Sequence, residues 1–410
     1  MGSSGSDLPQ DVVEDILSRL PAKSIMRFRC VNKSIWSTLF QNPTFIAKHH
    51  SFQSQNNPTF VIKRRDDIIQ KALISLHPNL DSDSGVELLN LDDMPFFKGD
   101  MKEEEEERLD ILGDRSINGI ICLYNYPWRY QQPCDHHFRI VLWNPAIREF
   151  KLLPTNPVHC PSPNPHVRHE FIGFGFGYDH KSNDYKVVRI VIFWDFTPYL
   201  DWNGNGYYCP PLVEVYTLST DSWRQIDAVF NASINYNVRN SQFYLNGAYH
   251  WHGSIAGKHS NAIVSFDMTE EVFRIIRLPD LDENNVSALD KNAIWGEYLV
   301  LNNCIAMIVY DIQETVIEKI FDIWVMREYG VKESWTKQFV IGPLSGIQIQ
   351  LGFTMNDELL MVARDGQLVS YNSNAQEIKS LQVRGLLNAT QAIVYKESLV
   401  SVMGGNVIEN

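Results

Sequence analysis

Two hydrophobic periods divide this chain. Over residues 8–48 the apolar positions recur at three- and four-residue steps. Val12, Val13, Ile16, Leu17 and Leu20 fall on one face of a helix. Asp7 stands where a cap is needed, Pro9 suits a first turn, and Asp11, Glu14 and Asp15 suit the positive end of the helix dipole. Pro21 ends the segment. A second helix is predicted with Ser24 as its cap and Ile25, Phe28 and Val31 along one side, and a third carries Trp36, Leu39 and Phe40. Three helices this short cannot bury all these side chains among themselves. Two readings stand on pattern alone: the helices pack onto the rest of the chain, or their surplus apolar surface serves a partner.

From about residue 59 the period becomes two, and strand-like runs are bounded by Gly, Asn, Asp and Pro. One form recurs: an alternating strand, a polar turn, then a large hydrophobic residue on the returning strand. Val141–Pro145 returns at Phe150, Val213–Thr217 at Trp223, Val264–Asp267 at Phe273, Ile323–Met326 at Trp335, and Val369–Asn372 near Ile378. Several units lie about 50 residues apart, with further strand candidates between them. The predicted fold is mainly β, a kelch-like β-propeller of about six blades behind a small helical module. The segment 391–402 is predicted to add the strand that closes the ring onto the first blade and removes an exposed edge. An irregular pair of β-sandwiches is the alternative.

Composition supports the β reading. Of 410 residues, 44% are hydrophobic, and 21 Phe, 17 Tyr and 10 Trp favour pleated surfaces. Charge is unevenly spread. Residues 51–410 hold 45 acidic and 30 basic side chains, a net −15 against −13 for the whole chain. An acidic body repels phosphate backbones and steers basic proteins, so nucleic acid is not the expected partner. No run of about 18 apolar residues predicts a membrane span. Residues 1–6 read as a flexible start without secretory character. The six cysteines lack paired spacing and read as reduced thiols.

Few positions suggest chemistry. The block 102–108 contains Glu103, Glu104 and Glu105, a solvated loop or an acidic contact for a basic partner. Gly173, Gly175 and Gly177 precede a strand pattern, whereas a phosphate cradle needs a helix start; they suit a bend or a close approach between strands. Cys134, His136 and His137, and His159, Cys160, His166 and His169, have no metal-ligand spacing of the CxxC or HExxH kind. No metal, cofactor or nucleophile elbow is expected. Loops 92–110, 126–137, 155–170 and 195–211 are the candidates for specificity. Phe196, Tyr199, Trp202 and Tyr207 in the last of these, with the three glutamates, are the candidate substrate contacts.

The run LPQDVVEDILSRLPAKSIMRFRCVNKSIWSTLFQNPTF resembles an F-box. The motifs WNPAIREFKLLP, FGFGYDHKSNDYKVVRI, VEVYTLSTDSW, LNGAYHW, VSFDMTEEVFRIIRLP and DIWVMREYGVKESWTK resemble the plant F-box-associated domain. The segment IGPLSGIQIQLGFTMNDELLMVARDGQLVSYN is similar to S-locus F-box proteins and their relatives. The resemblance implies an F-box at 7–48 that docks a Skp adaptor and through it a cullin, followed by a recognition domain over 49–410. Its implied contact face is Leu8, Pro9, Ile16, Leu17, Leu20, Pro21, Ile25, Phe28, Val31 and Trp36. It implies a non-catalytic ubiquitin-ligase receptor in the cytoplasm, with the nucleus as a second site. In pollen its target would be a basic S-ribonuclease; the alternative is a receptor for an unrelated signalling or stress-response protein.

Overall fold

A computed structural model describes residues 9–28, 39, 42–54, 59–65, 72–77, 86–90, 107–127, 139–159, 166–195, 210–230, 232–235, 242–255, 260–281, 294–311, 318–354 and 356–403. Helix α1 spans Gln10–Ser18, with the Pro9 carbonyl accepting from the amides of Val12 and Val13. Helix α2 spans Ala22–Phe28. It starts at Pro21, whose carbonyl accepts from the amides of both Ser24 and Ile25, so Ser24 lies inside the first turn and is not the cap the sequence suggested. Helix α3, Pro43–Ser54, is absent from the sequence reading. The Asn42 side chain caps it, Oδ1 accepting from the Thr44 amide at 3.0 Å, and Pro43 takes the first position, where its missing N–H costs nothing.

Six sheets form the ring. Blade 1 joins β1 (Thr59–Arg65), β2 (Ala72–His77) and β3 (Val86–Asn90) to β25 (Gln391–Tyr395), which pairs antiparallel with β1 and closes the ring. Blade 2 is β4 (Glu107–Ile111) to β7 (Glu149–Leu152), through β5 (Ile121–Pro127) and β6 (Ile140–Asn144). Blade 3 is β8 (Val167–Asp179), β9 (Asp184–Asp195), β10 (Leu212–Thr217) and β11 (Ser222–Ile226). Blade 4 contains β12 (Ala232–Ile234), β13 (Phe243–Leu245), β14 (Ala248–Ile255), β15 (Asn261–Asp267) and β16 (Phe273–Arg277). Blade 5 runs from β17 (Ile294–Leu301) through β18 (Cys304–Asp311) and β19 (Glu318–Met326) to β20 (Trp335–Ser345), and blade 6 from β21 (Ile347–Phe353) through β22 (Leu359–Ala363) and β23 (Gln367–Asn372) to β24 (Glu377–Arg384).

The predicted hairpins are the outer pairs of blades 2 to 6. Their large hydrophobic residues face one another across the strands: Trp143 with Phe150, Tyr216 with Trp223, Phe266 with Phe273, Met326 with Trp335, and Tyr371 with Ile378. Such cross-strand pairs are the unit of sheet stabilisation. A turn recurs as well. The side chains of Asn144, Asp179, Asp267 and Asn372 each accept from the amide two residues on. Four residues after each stands a left-handed residue, Arg148, Asn183, Glu271 or Gln376.

Between blades the contacts are specific. Lys63 on β1 meets Asp110 on β4 in a buried pair at 2.6 Å. Lys186 on β9 reaches Asp179 at 2.7 Å and Glu271 of blade 4 at 2.9 Å. The β8 glycines serve close packing, as their spacing suggested: a Cβ on Gly175 would lie 2.8 Å from the Tyr249 ring, and on Gly177 2.6 Å from Met268. Beside them the Trp251 Nε1–H donates to the Phe174 carbonyl at 2.7 Å.

The helices sit on one face of this ring. Leu17, Ala22, Ile25, Leu39, Phe45 and Ile46 share a continuous apolar cluster with residues of blades 2 and 3, among them Ile120, Leu142 and Tyr185. Leu399, Val400 and Val402 belong to the same cluster. The closing strand therefore stops at Tyr395, short of the predicted 402, and the residues after it leave the sheet to pack under the helices.

Candidate functional site

Helix α1 has two stripes. Val13, Leu17 and Leu20 point inward, Leu17 buried and the other two packed against the shared core. Val12 and Ile16 lie one turn apart on the outer side at 40% and 48% exposure, and Phe28 at the end of α2 is 42% exposed. Pro9 and Pro21 are also exposed. The predicted docking residues thus divide. Pro9, Ile16, Pro21 and Phe28 are on the surface, whereas Leu17 and Ile25 are buried and Leu20 half-buried, so these three hold the module to the ring and are not a free contact face. Leu8, Val31 and Trp36 lie outside the described residues. Val12, absent from the predicted set, completes the outer stripe; its spacing of four from Ile16 was the signal.

Polar contacts fix the module's shape. The Leu20 carbonyl, left over at the end of α1, accepts from His49 Nε2 and Gln53 Nε2, both at 3.0 Å. Burial lowers the His49 pKa to about 4, which keeps the ring neutral and its Nε2–H in place as the donor. Asp15 bridges Lys48 of α3 at 2.7 Å and Arg19 at 3.1 Å, and these cations lower its pKa, Lys48 most.

A second site follows from topology. The turns between β4 and β5 and between β6 and β7 lie under the helices, since Ile120 and Ile147 join the shared cluster. In antiparallel blades the alternate connections emerge at the opposite face. The start of β4, the end of β5, the end of β9 and the start of β10 therefore lie on the face away from the helical module, and residues 92–106, 128–138, 160–165 and 196–209 of the predicted specificity loops lie outside the described residues. Glu103, Glu104, Glu105, Phe196, Tyr199, Trp202 and Tyr207 lie outside the described residues, as do Cys134, His136, His137 and Cys160.

At the far edge of blade 3, where residues 156–159 and 210–212 meet the ring, a groove of about 680 Å³ opens. Its walls include Pro157, Pro210, Pro211, Val229 and Phe230. Among the described residues its charged lining side chains are Glu214 and Asp227. Arg189 holds Glu214 at 2.6 Å, donates to the Asn156 carbonyl at 2.5 Å and stacks over Trp223 at 4.6 Å. Trp223 in turn donates to the Pro154 carbonyl at 2.8 Å, so this wall is tied to the blade. Asp227 is exposed and makes no ion pair among the described residues. Sequence reasoning missed Asp227, Val229 and Phe230, which follow the outer strand of a blade and carry no repeating pattern. His169 packs edge-on to Phe171 and Phe193. Among the described residues no group of three His, Cys, Asp or Glu is placed to hold a metal ion.

The described residues thus form a β-propeller with a small helical module packed on one face of the ring. Residues 130–402 match the F-box associated beta propeller domain, and residues 6–35 match the F-box domain. The chain belongs to the F-box proteins that carry this propeller. F-box protein CPR1 of Arabidopsis thaliana is 28% identical, over 96% of this chain and 88% of that protein. An F-box/kelch-repeat protein of the same plant is 23% identical, over 97% of this chain and 96% of its own length.

Proposed function

We propose that this chain is the substrate-recognition subunit of a Skp–cullin–F-box ubiquitin ligase. The observation that carries the reading is an F-box whose inner stripe packs on one face of the propeller ring while its outer apolar stripe stays exposed. The outer stripe of Val12, Ile16 and Phe28 supports adaptor docking, because exposed apolar side chains on a small helical unit favour a protein interface. The target is held at the far face so that its lysines meet a ubiquitin-charged enzyme at high effective concentration. The thioester chemistry belongs to partner enzymes, and this chain acts by binding and orientation.

The substrate we propose is a basic protein, an S-ribonuclease, met in the cytoplasm of the pollen tube. The net charge of −15 over residues 51–410 supports this, as does exposed Asp227 beside the apolar walls of the groove, which makes no ion pair among the described residues. The test is binding of the adaptor-bound protein to a panel of basic stylar ribonucleases at two salt concentrations. Selective binding that weakens with salt is expected. Intact adaptor binding with no ribonuclease bound would leave the receptor in place and turn the search to a signalling or stress-response target.

A further inference from the structure

Seven residues after the ring-closing strand do more than end a blade. Glu397 Oε1 accepts from the Ala22 amide at 2.9 Å, at the start of α2, and the Glu397 carbonyl accepts from His50 Nδ1 of α3 at 3.4 Å. Burial raises the Glu397 pKa, and the Ala22 amide pulls the other way. One residue on, the fully buried Asn144 of β6 donates to the carbonyls of Ser398 and Val400, at 3.0 and 2.7 Å. Glu149 of β7 accepts from the Ser401 hydroxyl at 2.7 Å and the Val402 amide at 3.1 Å. Gly119, in the turn between β4 and β5, lies so close that a Cβ there would meet the Ser398 Cβ at 2.5 Å. Between these bonds Leu399, Val400 and Val402 fill the space between the F-box helices and blade 2.

We infer that residues 396–402 are a splint that sets the angle between the F-box and the propeller, with Glu397 and Glu149 as its positioning residues. The inference rests on the ligase reading for its purpose: a receptor with one fixed angle presents a bound target along one line to the charged enzyme. Its geometry rests on contacts alone. The segment is bonded on one side to α2 and α3 and on the other to β6 and β7. It also follows directly on the strand that closes the ring, so F-box orientation and ring closure are coupled.

The experiment compares the unaltered chain with the double variant Glu397→Ala, Glu149→Ala and with Glu397→Gln, which keeps an oxygen to accept from Ala22. Spectroscopic labels at exposed Ser51 on α3 and exposed Asn374 on blade 6 report the separation of the two parts. One narrow distance distribution is expected for the unaltered chain and for Glu397→Gln. The double variant is expected to broaden it at least twofold, with adaptor affinity unchanged within twofold. A broad distribution in the unaltered chain, or an equally narrow one in the double variant, overturns the splint. The positioning role is read in a reaction reconstituted with adaptor, cullin and charged conjugating enzyme, in which ubiquitin acceptor lysines on this chain itself are mapped. The double variant should at least double the number of lysines modified; the same set of lysines overturns that role. If the unaltered chain fails to bind adaptor, the ligase reading falls, and the label distances measured without adaptor still decide the splint.

Discussion

Gly119 is held by conformation and by space together. Its φ of +79° is one that L side chains rarely adopt, and the Ser398 backbone nitrogen would stand 2.9 Å from an added Cβ. Gly119→Ala is expected to destabilise the protein by about 2–4 kcal/mol, read by denaturant unfolding, because strain and overpacking add at one point. Glu297 on β17 makes a pH prediction. Burial lifts its pKa to about 7, although the Tyr310 hydroxyl donates to it at 2.9 Å. The folded state therefore holds a proton that the unfolded chain releases near its ordinary 4.5. Stability from this group is full below that value and falls as pH rises toward 7. Glu297→Gln should match the unaltered protein near pH 4 and exceed it at pH 8 by roughly 3 kcal/mol, at about 1.4 kcal/mol per pKa unit.

At the scale of elements, α1 illustrates what a helical period says and what it omits. The three- and four-residue spacing identified the helix, yet it placed Ile16 and Leu17 in one set. The structure turns Leu17 to the core and leaves Ile16 at 48% exposure. Ile16→Asp is thus expected to weaken adaptor binding at least tenfold while thermal unfolding changes little; Leu17→Asp should unfold the module. Equal loss of stability in both would show that the outer stripe is structural. Helix α3 went unread because its hydrophobic pattern is weak, although Asn42 before Pro43 is a start signal in sequence. Asn42→Ala should cost about 1 kcal/mol, the usual worth of such a cap, measured as lost stability of the helical module. The hairpins were legible for the opposite reason. Trp143 and Phe150, or Phe266 and Phe273, sit at fixed spacing about a turn of fixed length, so local sequence suffices to pair them.

For the whole molecule the decisive contact joins residues more than 300 positions apart. β25 pairs with β1, and the Val394 amide also donates to the Asp114 carbonyl of blade 2 at 3.0 Å. Val394→Pro removes that donor and is expected to cost about 3 kcal/mol or more. Because the splint follows β25, the helices should melt in the same transition as the blades; a separate early transition of the helices would contradict the coupling. The sequence by itself determined the helical module, the repeated hairpins, the approximate blade number and the acidic body. These follow from local periodicity, turn chemistry and composition, which operate over ten or twenty residues. Tertiary structure alone decided which face of α1 stays open, where the groove lies and why residues 396–402 leave the sheet. Each of those depends on which distant surface a side chain meets, and hydrophobic spacing marks a residue for burial without saying against what.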